Sequence, residues 1–163
     1  TLRNSRGQYI LTLDELEAGS LDTAEPVIEV EGDLILQLKK DTISHLESQG
    51  PVIKKGTGTL TIRGEGSLEL ESADAEAISS DWNGEELDAD HPSAVRLEAG
   101  NLTFTGAGSG IVDETVELAG AQGTITATST SGAAVKTAHV KREGSNSDKL
   151  ELIGATAVAV PES

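Results

Sequence analysis

Between Ser79 and Pro92 the chain runs SSDWNGEELDADHP, gathering Asp81, Glu85, Glu86, Asp88, Asp90, His91 and the only tryptophan, Trp82. Sugar-binding sites set an aromatic face against a pyranose ring and surround it with carboxylate and amide groups that hydrogen-bond the hydroxyls. Trp82, with Asp81 before it, Asn83 after it and Asp90 further on, supplies that set in one loop, so these four are the candidate ligand-binding residues. The alternative is that Trp82 folds back over the protein as an apolar lid. Glu85, Glu86, Asp88 and Asp90 are hard oxygen donors and form the candidate metal set, with calcium as the ion they suit. The run lacks the spacing of an EF-hand and the nonapeptide repeat of calcium-dependent solenoids, so a solvated acidic loop is the competing account.

Catalytic chemistry finds less to work with. A calcium-dependent lyase acting on uronates needs converging carboxylates plus an Arg or Lys base. Basic residues near the acidic loop are few: Arg96 after it, and Lys54, Lys55 and Arg63 before it. Glycoside hydrolysis needs two carboxylates set across a cleft, and a chain this rich in acids singles out no pair. His45, His91 and His139 stand in no nucleophile motif, and no G-x-S-x-G string is present. No catalytic residue is therefore assigned, and the chain is expected not to be an enzyme.

Composition narrows the field further. The 163 residues carry 12 Lys+Arg against 28 Asp+Glu, a formal charge of −16, which repels phosphate backbones and anionic membrane surfaces and argues against a nucleic-acid partner. Without cysteine there are no disulfides, Cys-based zinc sites or thiol nucleophiles. No apolar run approaches the ~18 residues of a membrane span. The chain starts at Thr1 and has no Met, which fits a processed protein or a domain cut from a longer one. The aromatics are Tyr9, Trp82 and Phe104 alone, so the core must be built from thin layers of Val, Ile, Leu and Ala.

The elements that would position the loop follow from self-similarity. Ile28, Ile53 and Ile78 recur at intervals of 25, and similar triplets end at Val95, Ile111 and Val135, at intervals of 17, 16 and 24. Read as six anchors of one inward column, they predict a parallel solenoid with a coil every 24 residues or so, in which the shorter intervals mark coils lacking a strand and turn. Period-2 pairs between the anchors, Leu60/Ile62, Leu68/Leu70, Leu102/Phe104 and Leu150/Leu152, read as short strands with Thr or Glu outward, separated by Gly and Asn turns. The pairs Leu60/Ile62 and Leu102/Phe104 fall at the same offsets after an anchor and are expected to be equivalent. A hairpin sandwich would show similar turn spacing but gives no reason for a recurring anchor. Thr59/Thr61, Thr103/Thr105 and Thr124/Thr126/Thr128 then face outward; their uneven spacing argues against an ice-binding array. Thr12, three residues before Glu15, forms a capping box, so residues 1–25 are read as a cap or first coil opened by a short helix. Residues 26–160 form six or seven coils, and 79–92 is an inserted acidic loop, all within one domain spanning 1–163.

The stretch from DLILQLKK through GTGTLTIRGEGSLELESADAEAIS, followed by GNLTFTGAGSGI and AGAQGTITATSTSGAAVK, resembles the clostridial carbohydrate-binding β-helix family of bacterial surface proteins, which has a polysaccharide-lyase-like fold. The resemblance covers roughly residues 26–138. It implies an all-β, single-stranded right-handed parallel β-helix, located extracellularly or at the cell surface, that binds plant cell-wall polysaccharide, in some members with calcium. The function expected on this basis is polysaccharide binding or adhesion without catalysis; a structural stalk of an adhesin and a degenerate calcium-dependent lyase are the alternatives.

Overall fold

A computed structural model describes residues 2–5, 8–85, 90, 92–98, 101–119, 124–142, 149–154 and 156–159. The chain enters through β1 (Leu2–Ser5) and then repeats a cycle of three strands. The first coil holds β2 (Gln8–Leu13), β3 (Glu17–Ser20) and β4 (Ile28–Val30), and the second β5 (Leu34–Leu38), β6 (Ile43–Ser48) and β7 (Ile53–Lys55). The next two are β8 (Gly58–Gly64), β9 (Ser67–Ser72), β10 (Ile78–Ser80) and β11 (Ser93–Leu97), β12 (Asn101–Gly106), β13 (Ile111–Val112). The chain finishes with β14 (Thr115–Leu118), β15 (Thr124–Ser129), β16 (Ala133–Lys136) and β17 (His139–Arg142), β18 (Lys149–Ile153), β19 (Thr156–Ala159). Every third strand pairs in parallel with the one before it. Sheet A is β1-β2-β5-β8-β11-β14-β17, sheet B runs from β3 to β18 and sheet C from β4 to β19, which makes a parallel β-solenoid of about five turns. Among the described residues, no helix is long and apolar enough to cross a membrane.

The inward rows form the core. In sheet C, Ile28, Ile53, Ile78, Ile111 and Val135 stand in one register, which the backbone pairing continues to Val158. Val95 was expected in that column and is not in it. It lies in sheet A between Leu60 and Val116, although it is fully buried. The column therefore steps by 25, 25, 33, 24 and 23 residues. No coil has lost a strand; one has gained a loop at 81–92, since Ser79 and Ser80, expected in the loop, belong to β10. For the same reason Leu60/Ile62 and Leu102/Phe104 are not equivalent: the first pair stacks on Val95/Leu97 in sheet A, the second on Leu68/Leu70 in sheet B. Phe104 stands between Leu70 and Ala127, a small neighbour that leaves room for its ring.

The N-terminal helix is also corrected. Thr12 lies in β2, and Glu15, at φ 50°, turns the chain into β3. Tertiary pairing of β2 with β5 over residues 9–13 overrides the local capping pattern. β1 pairs antiparallel with β2 and occupies that edge of sheet A.

Corners are stitched by small polar groups. Ser48 and Ser72, in register at the ends of β6 and β9, turn inward and donate to carbonyls of the preceding coil's turn, Thr23 and Glu25 for Ser48 and Gly50 for Ser72. Ser129 donates likewise to the Gly108 carbonyl. These bonds give the turn carbonyls of Glu25, Gly50 and Gly108 a side-chain donor, while the Thr23 carbonyl also accepts from the Gln49 N–H. At Gly58, φ is +101° and a Cβ would lie 2.5 Å from the Gly32 carbonyl carbon, so only glycine allows the coils this close there.

Candidate functional site

The loop between β10 and β11 closes on itself. The Trp82 Nε1–H donates to the Glu85 carbonyl at 2.8 Å, and the Glu85 N–H donates to Asn83 Oδ1 at 3.1 Å. Gly84, at φ +98°, completes this tight turn. Trp82 is 4% exposed, whereas Asp81, Asn83, Glu85 and Asp90 are exposed. A stacking platform must present a ring face to solvent, and the buried Trp82 ring presents none here. Glu86, Asp88 and His91 lie outside the described residues. Glu85 and Asp90 belong to no group of three clustered metal-ligand atoms among the described residues.

A different surface gathers polar chemistry. On the outer face of sheet B one row reads Glu17, His45, Glu69, Thr103, Thr126, and the next reads Gly19, Glu47, Glu71, Thr105, Thr128. Strand alternation sends these side chains out while Leu46, Leu70, Phe104 and Ala127 point in. Gly19 leaves a shallow recess walled by Glu17, His45 and Glu47. A Cβ there would lie 1.8 Å from the Glu47 carbonyl oxygen. His45, Glu47 and Glu71 bring donor atoms within 4.8 Å of one another. One imidazole and two carboxylates suit a borderline ion better than calcium.

His45 is held between acids, with Nδ1 3.3 Å from Glu69 and Nε2 3.3 Å from Glu47. Both nitrogens can donate only in the imidazolium form. Partial burial, the largest single influence, pulls its pKa down, but the hydrogen bonds and charges of Glu47 and Glu69 together outweigh it and the net direction is above 6.5. With the folded value raised, the stabilisation is fully present below about 6.5 and is lost as pH rises through the folded value. Thermal unfolding should therefore show His45→Gln less stable than the parent in mild acid and nearly equal to it in mild alkali. A gap independent of pH would refute the coupling.

The Thr pairs are outward as expected, but only Thr103/Thr105 and Thr126/Thr128 stack on each other; Thr59 and Thr61 belong to sheet A. Sheet A carries instead an ion-pair ladder, with Arg96 2.9 Å from Glu98 and 2.9 Å from Glu117, and Lys141 4.0 Å from Glu117. This places Arg96 in a salt-bridge role.

One polar cluster escaped the sequence reading. At the corner where sheet C hands over to sheet A, the fully buried Lys55 donates to Asp113 Oδ2 at 2.6 Å, to Ser93 Oγ at 2.6 Å and to the Gly56 carbonyl at 3.1 Å. Ser93 in turn donates to Asp113 Oδ1 at 2.5 Å, and the Glu114 N–H donates to the same oxygen at 2.7 Å. The available signal was parity: Lys55 is two residues after the anchor Ile53 in a strand, so it faces inward with it.

The molecule is thus a parallel β-solenoid with a polar strip along one face and a buried ion pair at one corner. Compared with known proteins, the chain matches no protein-family model, no curated protein and no solved structure.

Proposed function

We propose that the protein is a non-catalytic binding module, extracellular or at the cell surface, that holds an extended polysaccharide along the outer face of sheet B. The observation carrying this reading is the register of Thr103/Thr105 on Thr126/Thr128, continued by Glu69/Glu71. It makes two parallel rows of hydroxyls and carboxylates repeating at the ~4.8 Å strand spacing. Hydroxyls donate and accept, carboxylates accept, and a linear glycan offers hydroxyls along its length to both. The resemblance to clostridial carbohydrate-binding modules points the same way. At −16, the protein favours a neutral glycan such as cellulose, or an acidic one such as pectin only with calcium as a bridge.

The test is retention on insoluble cellulose and on polygalacturonate, with and without calcium. Removing the Thr103 and Thr126 hydroxyls together, as Ala, should weaken binding about thirtyfold, since each hydrogen bond is worth about 1 kcal/mol. Unchanged binding by that variant would move the site elsewhere, and no retention on any glycan would favour the stalk. Release of unsaturated uronates would instead reveal a lyase.

A further inference from the structure

We propose that Lys55 and Asp113 form an intramolecular isopeptide bond, a covalent cross-link between residues 58 positions apart. Both side chains are fully buried, with Nζ and Oδ2 2.6 Å apart. Proximity of this order turns amide formation into a unimolecular step, and burial removes the water that drives the reverse reaction. The two oxygens of Asp113 are also differentiated. Oδ1 accepts from Ser93 Oγ and from the Glu114 N–H, whereas Oδ2 faces the amine. Oδ1 therefore sits in a ready-made oxyanion site, and Oδ2 is placed as the leaving oxygen.

The step balances without another reactant. One proton passes from the Lys55 ammonium to Oδ2, giving a neutral amine and carboxylic acid, a pair less costly to bury than two ions. The Nζ lone pair adds to Cγ, and negative charge develops on Oδ1 between its two donors. A second proton moves from Nζ to Oδ2, the Cγ–Oδ2 bond breaks, and water leaves. The amide keeps the third Nζ hydrogen. No oxidant, nucleotide or metal is consumed.

The corner geometry explains how the two residues meet. Lys55 ends β7 and Asp113 follows β13, so the coil of β8–β10 lies between them. At this corner that coil leaves β10 at Ser80 and returns at Ser93, which bridges the pair.

The full-length chain, denatured before intact-mass measurement, should weigh one water less than its sequence. Proteolysis and tandem mass spectrometry should find a branched peptide joining the Lys55 segment to the Asp113 segment. Lys55→Arg keeps a cation but removes the amine nucleophile and should restore the full mass. Ser93→Ala removes one donor from Oδ1, and the linked fraction in freshly synthesised protein should fall several-fold while the circular dichroism stays β-type. A parent protein of full sequence mass overturns the proposal, as does a water deficit that maps to any other residue. An unchanged linked fraction in Ser93→Ala overturns the role given to Ser93.

Discussion

Measured against parent chains that still carry the full sequence mass, in which Lys55 and Asp113 are an ion pair, Asp113→Ala should lower the stability of the folded chain by about 3–5 kcal/mol, the cost of leaving a buried charge without its partner. Lys55 would keep only Ser93 and the Gly56 carbonyl, and two donors, Ser93 Oγ and the Glu114 N–H, would lose their shared acceptor. Urea titration of parent and variant measures the difference, and the second arm is the paired replacement Lys55→Met with Asp113→Leu. Removing both charges leaves nothing to desolvate, so the pair should recover much of the loss. By contrast, the Lys39–Asp14 pair, at 2.7 Å but with both side chains more than half exposed, should change little when broken. A small effect at Asp113 would mean that the corner is open to water.

A still larger loss is expected from Ile53→Asp. Ile53 is fully buried and stands in register between Ile28 and Ile78, so the carboxylate would have no polar partner along its row. Losing the apolar burial costs about 2–3 kcal/mol, and burying an unpaired charge adds several more, together comparable with the whole stability of about 5–15 kcal/mol for a domain. The β-type circular dichroism and the cooperative thermal transition should both vanish. Ile53→Val, at about 0.5–1.5 kcal/mol, controls for handling. Retention of a cooperative transition within a few degrees of the parent would show that the core tolerates charge and would sink this account of the column.

What could be read from the residues was what repeats. Ile28, Ile53 and Ile78 announce the coil length because three short strands and their corners return the chain to one inward place. Val95 misled because Ser93-Ala94-Val95 copies the local look of an anchor triplet, and only pairing with Leu60 and Val116 tells which sheet it serves. Thr12 and Glu15 misled similarly: four residues cannot show that β5 waits alongside. Trp82 was ambiguous because burial depends on where the loop folds. The His45–Glu47–Glu69 grouping was hidden for a different reason: two of its members are brought alongside by register across coils, at 24 residues' separation. Lys55 beside Lys54 looks like a solvated basic pair, and its carboxylate partner lies on the far side of an insertion.

In a stack of coils each layer normally answers only to the layers directly above and below, so the ends fray and interior layers open by propagation. The Lys55–Asp113 contact breaks that rule, since it joins the coil of β5–β7 to the coil of β11–β13 around the one between. The strands β8, β9 and β10 are thereby held by a clasp to which they contribute no residue. Their amide hydrogens should exchange with solvent only when the whole molecule opens, while those of β3 and β4, at the edges of their sheets, exchange through local opening.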